Sequence, residues 1–326
     1  MGFWLLAVGC WLLAGSCRLS QATTVIPTGR SEINAPFGRV LTAMITPFDA
    51  DGALDVGTAW ELARHLIAEG SDGIVVGGTT GESPTLSGDE KVMLFRTVVE
   101  AVGDRGMVLA GTGTYDTAES VHLTEQAAAA GVHGVMAVTP YYSRPSQQGL
   151  VAHFSAIADA SPVPVLLYNI PSRTGRLIEV PTLARLGEHP RIVAVKDAVG
   201  DLAFTTKTLL ACGDSLAVYS GDDILTLPMM SVGAVGVVSV ASHLAGRQVA
   251  AMVAAAATGR GEEAQRLHLL LAPLFGACFL EPNPMPVKAA LDALWKPVGA
   301  PRLPLVAASA ETVAAIKEAL AIATAG

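Results

Sequence analysis

From residue 40 onward the chain repeats one pattern eight times: a short apolar run, then a segment with helical periodicity. The runs cover residues 40–45, 73–76, 107–110, 134–138, 165–168, 192–195, 216–219 and 236–240. They are rich in Val, Ile and Leu, and apolar on consecutive positions, as strands covered on both faces are. After the first run, Ala59, Leu62, Ala63, Leu66 and Ile67 recur at three- and four-residue steps, which is one face of a helix. Ser87 and Glu90 form a capping-box pair ahead of Val92, Phe95, Val99 and Val102. The linker 222–233 is short, and Leu225, Pro228 and Met229 suggest a brief helix there. Eight strand–helix units in about 200 residues is the size at which a parallel sheet closes into a (β/α)8 barrel. An open doubly wound sheet would want a phosphate-binding glycine loop, and neither G-x-G-x-x-G nor G-K-[ST] is present. The fold class expected is therefore α/β: a (β/α)8 TIM barrel over residues 37–260, with a C-terminal helical appendage over 261–326. Residues 244–260, 261–280 and 284–324 read as helices, and Pro282, Pro284 and Pro286 punctuate a joint between them.

Bulk properties exclude several functions. The chain is 51% hydrophobic and carries a formal net charge of −8 with no basic run, so nucleic acid is not an expected partner. The four cysteines, Cys10, Cys17, Cys212 and Cys278, form no C-x-x-C pair, and the histidines form no ligand pair at helical spacing. No metal or cofactor is expected.

In a barrel of this type, chemistry sits at the C-terminal ends of the strands and in the loops just after them. The unusual residues of this chain fall there. The second run is followed by Gly77, Gly78, Thr79, Thr80 and Gly81, a turn whose N–H groups and hydroxyls could hold a carboxylate. Tyr141 and Tyr142 follow the fourth run, and Tyr168 and then Arg173 the fifth. The sixth ends at Lys196, and the seventh leads to Gly221, Asp222 and Asp223. Each has a bland reading: Lys196 could snorkel to solvent, Tyr168 could be an amphipathic core residue, and Arg173 could lie on the surface. Asp222 and Asp223 read best as caps of the short helix behind them. Taken together, the set permits specific chemistry. A desolvated lysine amine can attack a ketone to form a Schiff base. A phenol beside it can move protons. A guanidinium offers a fixed fork to a second carboxylate.

The pieces GTTGES (residues 78–83), TPYYSRPSQ (139–147), YNIPSRTG (168–175), VKDA (195–198) and SGDD (220–223) resemble the dihydrodipicolinate synthase family in order and spacing. The resemblance runs from about residue 40 to near the C-terminus. It implies condensation of pyruvate with L-aspartate 4-semialdehyde in lysine and diaminopimelate biosynthesis. By motif, Lys196 would be the Schiff-base lysine and Tyr168 the proton donor and acceptor. Thr79 and Tyr142 would complete a hydroxyl relay, with Tyr142 reaching into a neighbouring subunit's site. Thr80 would hold the pyruvate carboxylate, Arg173 the semialdehyde carboxylate, and Gly221 and Val238 would touch substrate through their backbones. The family implies a homotetramer built as a dimer of dimers. Lysine-inhibited members carry histidines near the positions of Gly88 and Lys91 and an Asn near Tyr115, so weak feedback inhibition is expected here. Asp197 and Ser143 depart from the common Glu and Asn, outside the proposed relay. The alternative within the same superfamily is a lyase or aldolase of the N-acetylneuraminate or keto-deoxy-sugar-acid type. The Thr79–Thr80 pair, Tyr142 and Arg173 favour the synthase. An exported binding protein without catalysis is a further rival, suggested only by the N-terminus.

That N-terminal segment, residues 1–36, stands apart as an extension. Its apolar run, 3–15, is too short for a membrane span and has no basic residue before it, so no membrane partner is expected. It reads as an export signal or as sequence upstream of the true start. The second reading is preferred, with residues 1–22 a mis-assigned start, because the chemistry belongs to cytoplasmic metabolism.

Overall fold

The computed structural model describes residues 35–325. The run 3–15, and with it the choice between an export signal and an upstream start, lies outside the described residues. Eight parallel strands pair in sequence order and close into a barrel. They are β1 (Val40–Ala43), β2 (Gly73–Val76), β3 (Met107–Gly111), β4 (Gly134–Val138), β5 (Val165–Asn169), β6 (Ile192–Asp197), β7 (Ala217–Ser220) and β8 (Gly236–Ser239). The helices are α1 (Val56–Ala68), α2 (Gly88–Val102), α3 (Thr117–Ala129), α4 (Gln147–Ala160), α5 (Pro171–Thr174), α6 (Val180–Leu186), α7 (Leu202–Cys212), α8 (Thr226–Val232), α9 (Ser242–Ala257), α10 (Gly261–Ala277), α11 (Met285–Leu294) and α12 (Ala310–Thr324). The expected helix over 284–324 is two helices, because Pro297, Pro301 and Pro304 lie between α11 and α12 and cannot supply the helix N–H bonds.

Consecutive strand residues serve two separate cores. Leu41, Val75, Leu109, Met136, Leu166 and Ala194 point into the barrel. Their neighbours, among them Ile74, Val108, Val135, Val165 and Val195, face the surrounding helices. Strand alternation at a period of two explains both clusters. One irregularity matters. Val165 pairs with Ile192, but Leu166 pairs with Ala194, so β6 holds one extra residue at Val193. After that bulge Tyr168 stands beside Lys196. Lys196 lies two residues beyond inward-facing Ala194, on the same face of β6.

The C-terminal region is fastened to the start of the barrel through charge. Nζ of Lys288 on α11 donates to Oε1 of Glu82 at 2.9 Å, and both side chains are 1% exposed. The same amine donates to the carbonyl of Thr46 and lies 4.3 Å from the centre of the Phe48 ring. The other Glu82 oxygen accepts the backbone N–H of Arg302 at 2.8 Å, and the Arg302 guanidinium pairs with Glu90. Burial holds the Lys288 amine below its usual value, and Glu82 pulls it back up. At Ile45, the residue before Thr46, the ring of His243 is also buried. It accepts the N–H of Ile45 on Nε2 at 3.1 Å, so Nδ1 carries the proton, which it donates to the carbonyl of Val240 at 2.8 Å. Burial lowers its pKa to about 4.

Two outcomes follow from these contacts. Lys288→Met leaves Glu82 buried without its cation and should cost about 3–5 kcal/mol of stability by urea denaturation, with partial recovery on adding Glu82→Gln. A depressed histidine pKa means that the unfolded chain takes up the proton first as pH falls below about 6.5, so this contribution is present above that pH and is lost towards pH 4. The stability gap between the wild type and His243→Gln should therefore narrow as pH is lowered from about 7 to about 4.5.

Candidate active site

The rim of the barrel is built by side chains that return to the strand ends. On β5, the amide of Asn169 donates to the carbonyl of Ile178 and accepts its N–H, both at 3.0 Å. This clip folds the segment carrying Arg173 back over the strand. Within it α5 is a single turn, begun by Pro171 and ended by Gly175 at φ 67°. Thr139, after β4, donates both its N–H and its hydroxyl to the carbonyl of Tyr168 at 3.0 Å. After β7, the buried carboxylate of Asp223 accepts from the Ser239 hydroxyl and from the N–H groups of Val240 and Ala241. The expected capping of the short helix by Asp222 and Asp223 is thus corrected. Asp223 ties β7 to the end of β8, and α8, with Leu225 at its N-cap, has no side-chain cap.

The loop after β2 is held from several directions. Gly77 takes φ 66°, a region glycine enters without penalty. At Gly111 a Cβ would stand 2.4 Å from the carbonyl oxygen of Gly77, so β3 and this loop touch backbone to backbone. The carbonyl of Gly81 accepts from the Thr46 hydroxyl at 2.6 Å, and the N–H of Glu82 donates to Thr79. Glu82 itself sits at φ 55°, a left-handed conformation uncommon for a non-glycine residue. The N–H groups of Thr79 and Thr80 donate to no acceptor among the described residues.

Lys196 is 5% exposed, and its amine makes no hydrogen bond or ion pair among the described residues. Its Nζ lies 4.3 Å from the centre of the Tyr168 ring, and Tyr168 is itself 4% exposed. Burial pushes the nearby Asp222 carboxyl up, opposed by the N–H of Ile224 and by Lys196. Tyr168 borders a cavity of about 230 Å³, whose lining does not include Lys196. Thr79, Tyr141, Tyr168 and Arg173 all line it. Arg173 also borders a second cavity of about 420 Å³, with Gly221, Asp222 and Phe275.

The structure thus gathers Tyr168, Thr79 and Arg173 around one cavity, with Lys196 against the Tyr168 ring and Gly221 on the adjoining cavity that Arg173 shares. Val238 is buried in the barrel interior together with Tyr168. Thr80 lies behind the lining, where its Oγ1 accepts from Asn283 at 2.9 Å. Tyr142 is not brought into this chain's own cavity. It is 94% exposed at φ 70°, with Arg144 at φ 47° two residues on. Its neighbour Tyr141 fills the cavity edge instead, its ring 5.3 Å from that of Tyr115. Burial pushes the Tyr141 phenol up, and Tyr115 and Glu119 add to the shift. Sequence reading missed Asn283, Glu82 and Lys288 as the supports behind the loop after β2. Only the three flanking prolines marked that stretch, and nothing local said where it would dock.

Comparison with known proteins agrees with this layout. Residues 36–323 match the dihydrodipicolinate synthetase family. A 4-hydroxy-tetrahydrodipicolinate synthase of Synechococcus sp. strain CC9605 is 54% identical over 304 residues, which is 93% of this chain and 98% of that protein. Among solved structures, a dihydrodipicolinate synthase from Bacillus anthracis is 48% identical, with a TM-score of 0.84 over 87% of this chain and 97% of its own. The enzyme from Cyanidioschyzon merolae, solved with lysine bound, is 46% identical, with a TM-score of 0.86 over 88% of this chain and 98% of its own. With eight strands, a rim lysine under a tyrosine and a match over nearly its whole described length, the chain belongs to the dihydrodipicolinate synthetase family.

Proposed function

We propose that Lys196 is the amine through which this protein condenses pyruvate with L-aspartate 4-semialdehyde to give 4-hydroxy-tetrahydrodipicolinate. The observation that carries this reading is a buried lysine whose amine makes no ion pair or hydrogen bond among the described residues, its Nζ 4.3 Å from the centre of a tyrosine ring. Buried lysine is costly unless paired, so an unpaired one at a strand tip points to chemistry. Nζ adds to the pyruvate ketone, water leaves, and the imine loses a methyl proton to become an enamine. The enamine carbon attacks the aldehyde. The semialdehyde's own amine then attacks the imine carbon and releases Lys196 as the ring closes. Tyr168 carries protons at these steps, with Thr79 beside it in the cavity wall.

Thr80 and the free N–H groups of the loop after β2 hold the pyruvate carboxylate, and Arg173 takes the carboxylate of the semialdehyde. Gly221 and Val238 offer backbone contacts. Arg173 suits a second carboxylate, which favours the synthase over a sugar-acid aldolase. Tyr142 completes the relay in a neighbouring copy, in a homotetramer of paired dimers. Its outward ring supports this. Cytoplasmic localisation belongs to the same reading.

Borohydride reduction with pyruvate should add mass at Lys196 alone, and Lys196→Ala should abolish both trapping and turnover. Arg173→Ala should raise the KM for the semialdehyde at least about tenfold, the loss expected on removing a charged hydrogen bond, while pyruvate trapping changes little. Equal damage to both would refute its role. Mixing Lys196→Ala chains with Tyr142→Phe chains should restore activity that neither has alone; no gain on mixing would exclude the shared site.

Inhibition by lysine should be weak, because Gly88 and Lys91 offer an ammonium no partner. Burial lowers the Lys91 amine and Glu119 raises it, so the Glu119 carboxylate already faces a cation. Half-inhibition below about 1 mM would contradict this, since affinity of that order needs several good contacts.

A further inference from the structure

Asn283 lies between α10 and α11, outside the strand ends and their loops where the family's motifs fall. It is 6% exposed, and its Nδ2 donates to Oγ1 of Thr80 at 2.9 Å across 203 residues of sequence. Its Oδ1 is buried and bonds no other described group. A purely structural buried amide uses both ends. Asn169 in this same molecule does so, bonding Ile178 through nitrogen and oxygen. Asn283 commits one end to a single hydroxyl. The backbone around it is firmly placed, since Met285 donates to the carbonyl of Pro282 at 2.9 Å and Lys288 is locked to Glu82. Glu82 stands two residues after Thr80, so α11 and the preceding loop grip this segment at two points.

The direction of the bond matters. A threonine hydroxyl left alone tends to turn onto a carbonyl of its own chain. When Nδ2 occupies a lone pair of Oγ1, the threonine proton is directed away from Asn283 and remains available to an incoming acceptor. The N–H of Thr80 is available as well. A donor fixed in advance costs no reorganisation when the anion arrives.

We propose that Asn283 is a positioning residue for capture of the keto acid, holding Thr80 so that its O–H and N–H both face the substrate carboxylate. The inference rests on the reading of Thr80 given above. It assigns a role in the first half-reaction to the C-terminal helical region.

The test is borohydride trapping as a function of pyruvate concentration, on the wild type, Asn283→Ala, Thr80→Val and the double variant. Asn283→Ala should raise the half-saturation for pyruvate about tenfold, the size of one lost hydrogen bond to a charged system. The KM for the semialdehyde should stay within about twofold, because that substrate is held elsewhere. Added to Thr80→Val, Asn283→Ala should change the half-saturation less than about twofold, since the hydroxyl it positions is gone. Asn283→Asp should be worse than alanine, because its carboxylate takes the threonine proton and repels the substrate anion. Asn283→Ser, which keeps a polar group at the buried position, is measured in parallel and should resemble Asn283→Ala. If Asn283 only supported the fold, its variants would lower Tm and the number of trappable sites while leaving half-saturation unchanged. That result, or effects of Asn283→Ala and Thr80→Val that simply multiply, would overturn the proposal. A wild type that traps no pyruvate at Lys196 would overturn the assigned reaction instead.

Discussion

The pairing of β5 with β6 is the constraint on which this site depends. A parallel strand can meet its neighbour in many registers, and each one-residue slip turns every side chain to the opposite face. The bulge at Val193 selects one of them. It lets Ile192 and Val195 face the helices while Ala194 faces the barrel interior. Lys196 then stands beside Tyr168, and its amine lies over that aromatic ring. The strands on either side fill the barrel beneath, with Leu166 and Tyr219 closing the space below the amine.

Three lysines of this molecule are buried, and their surroundings assign them different work. Lys288 has Glu82, two backbone carbonyls and an aromatic ring, a full set of partners for an ammonium. Lys91 has only the distant pull of Glu119. Lys196 has the face of Tyr168, a residue that itself borders the cavity. Taking a charge out of water costs several kcal/mol, so Lys288 shows what a structural solution requires. The contrast between Lys288 and Lys196 separates a clamp from the proposed nucleophile better than burial does. The two are linked, because Glu82 and Thr80 belong to one short loop: its front faces the cavity and its back is gripped by the C-terminal region.

Much of this was legible in the chain itself. Consecutive apolar runs bounded by helical segments are a local signal, and all eight strands appeared near their expected positions. The rim residues could be named because a parallel barrel sends every strand's C-terminal end to the same face. Other features were misread for physical reasons. Asp223 looked like a helix cap because Asp commonly is one, but its carboxylate accepts from backbone N–H groups just after β8, 17 and 18 residues away. The C-terminal segment read as one helix because its alanines and leucines outweighed the prolines between them.

The sequence by itself determined the order of strands and helices, the face of the barrel that carries polar groups, and the identity of the lysine, tyrosine and arginine there. These follow from periodicity and residue type over a few neighbouring positions. Only the tertiary structure decided the β6 bulge, the seating of the Lys196 amine against Tyr168, the outward turn of Tyr142 and the grip of Asn283 and Lys288 on the loop after β2. Those contacts join residues 28 to more than 200 positions apart. Their geometry is set by packing of the closed barrel, which no local stretch of sequence encodes.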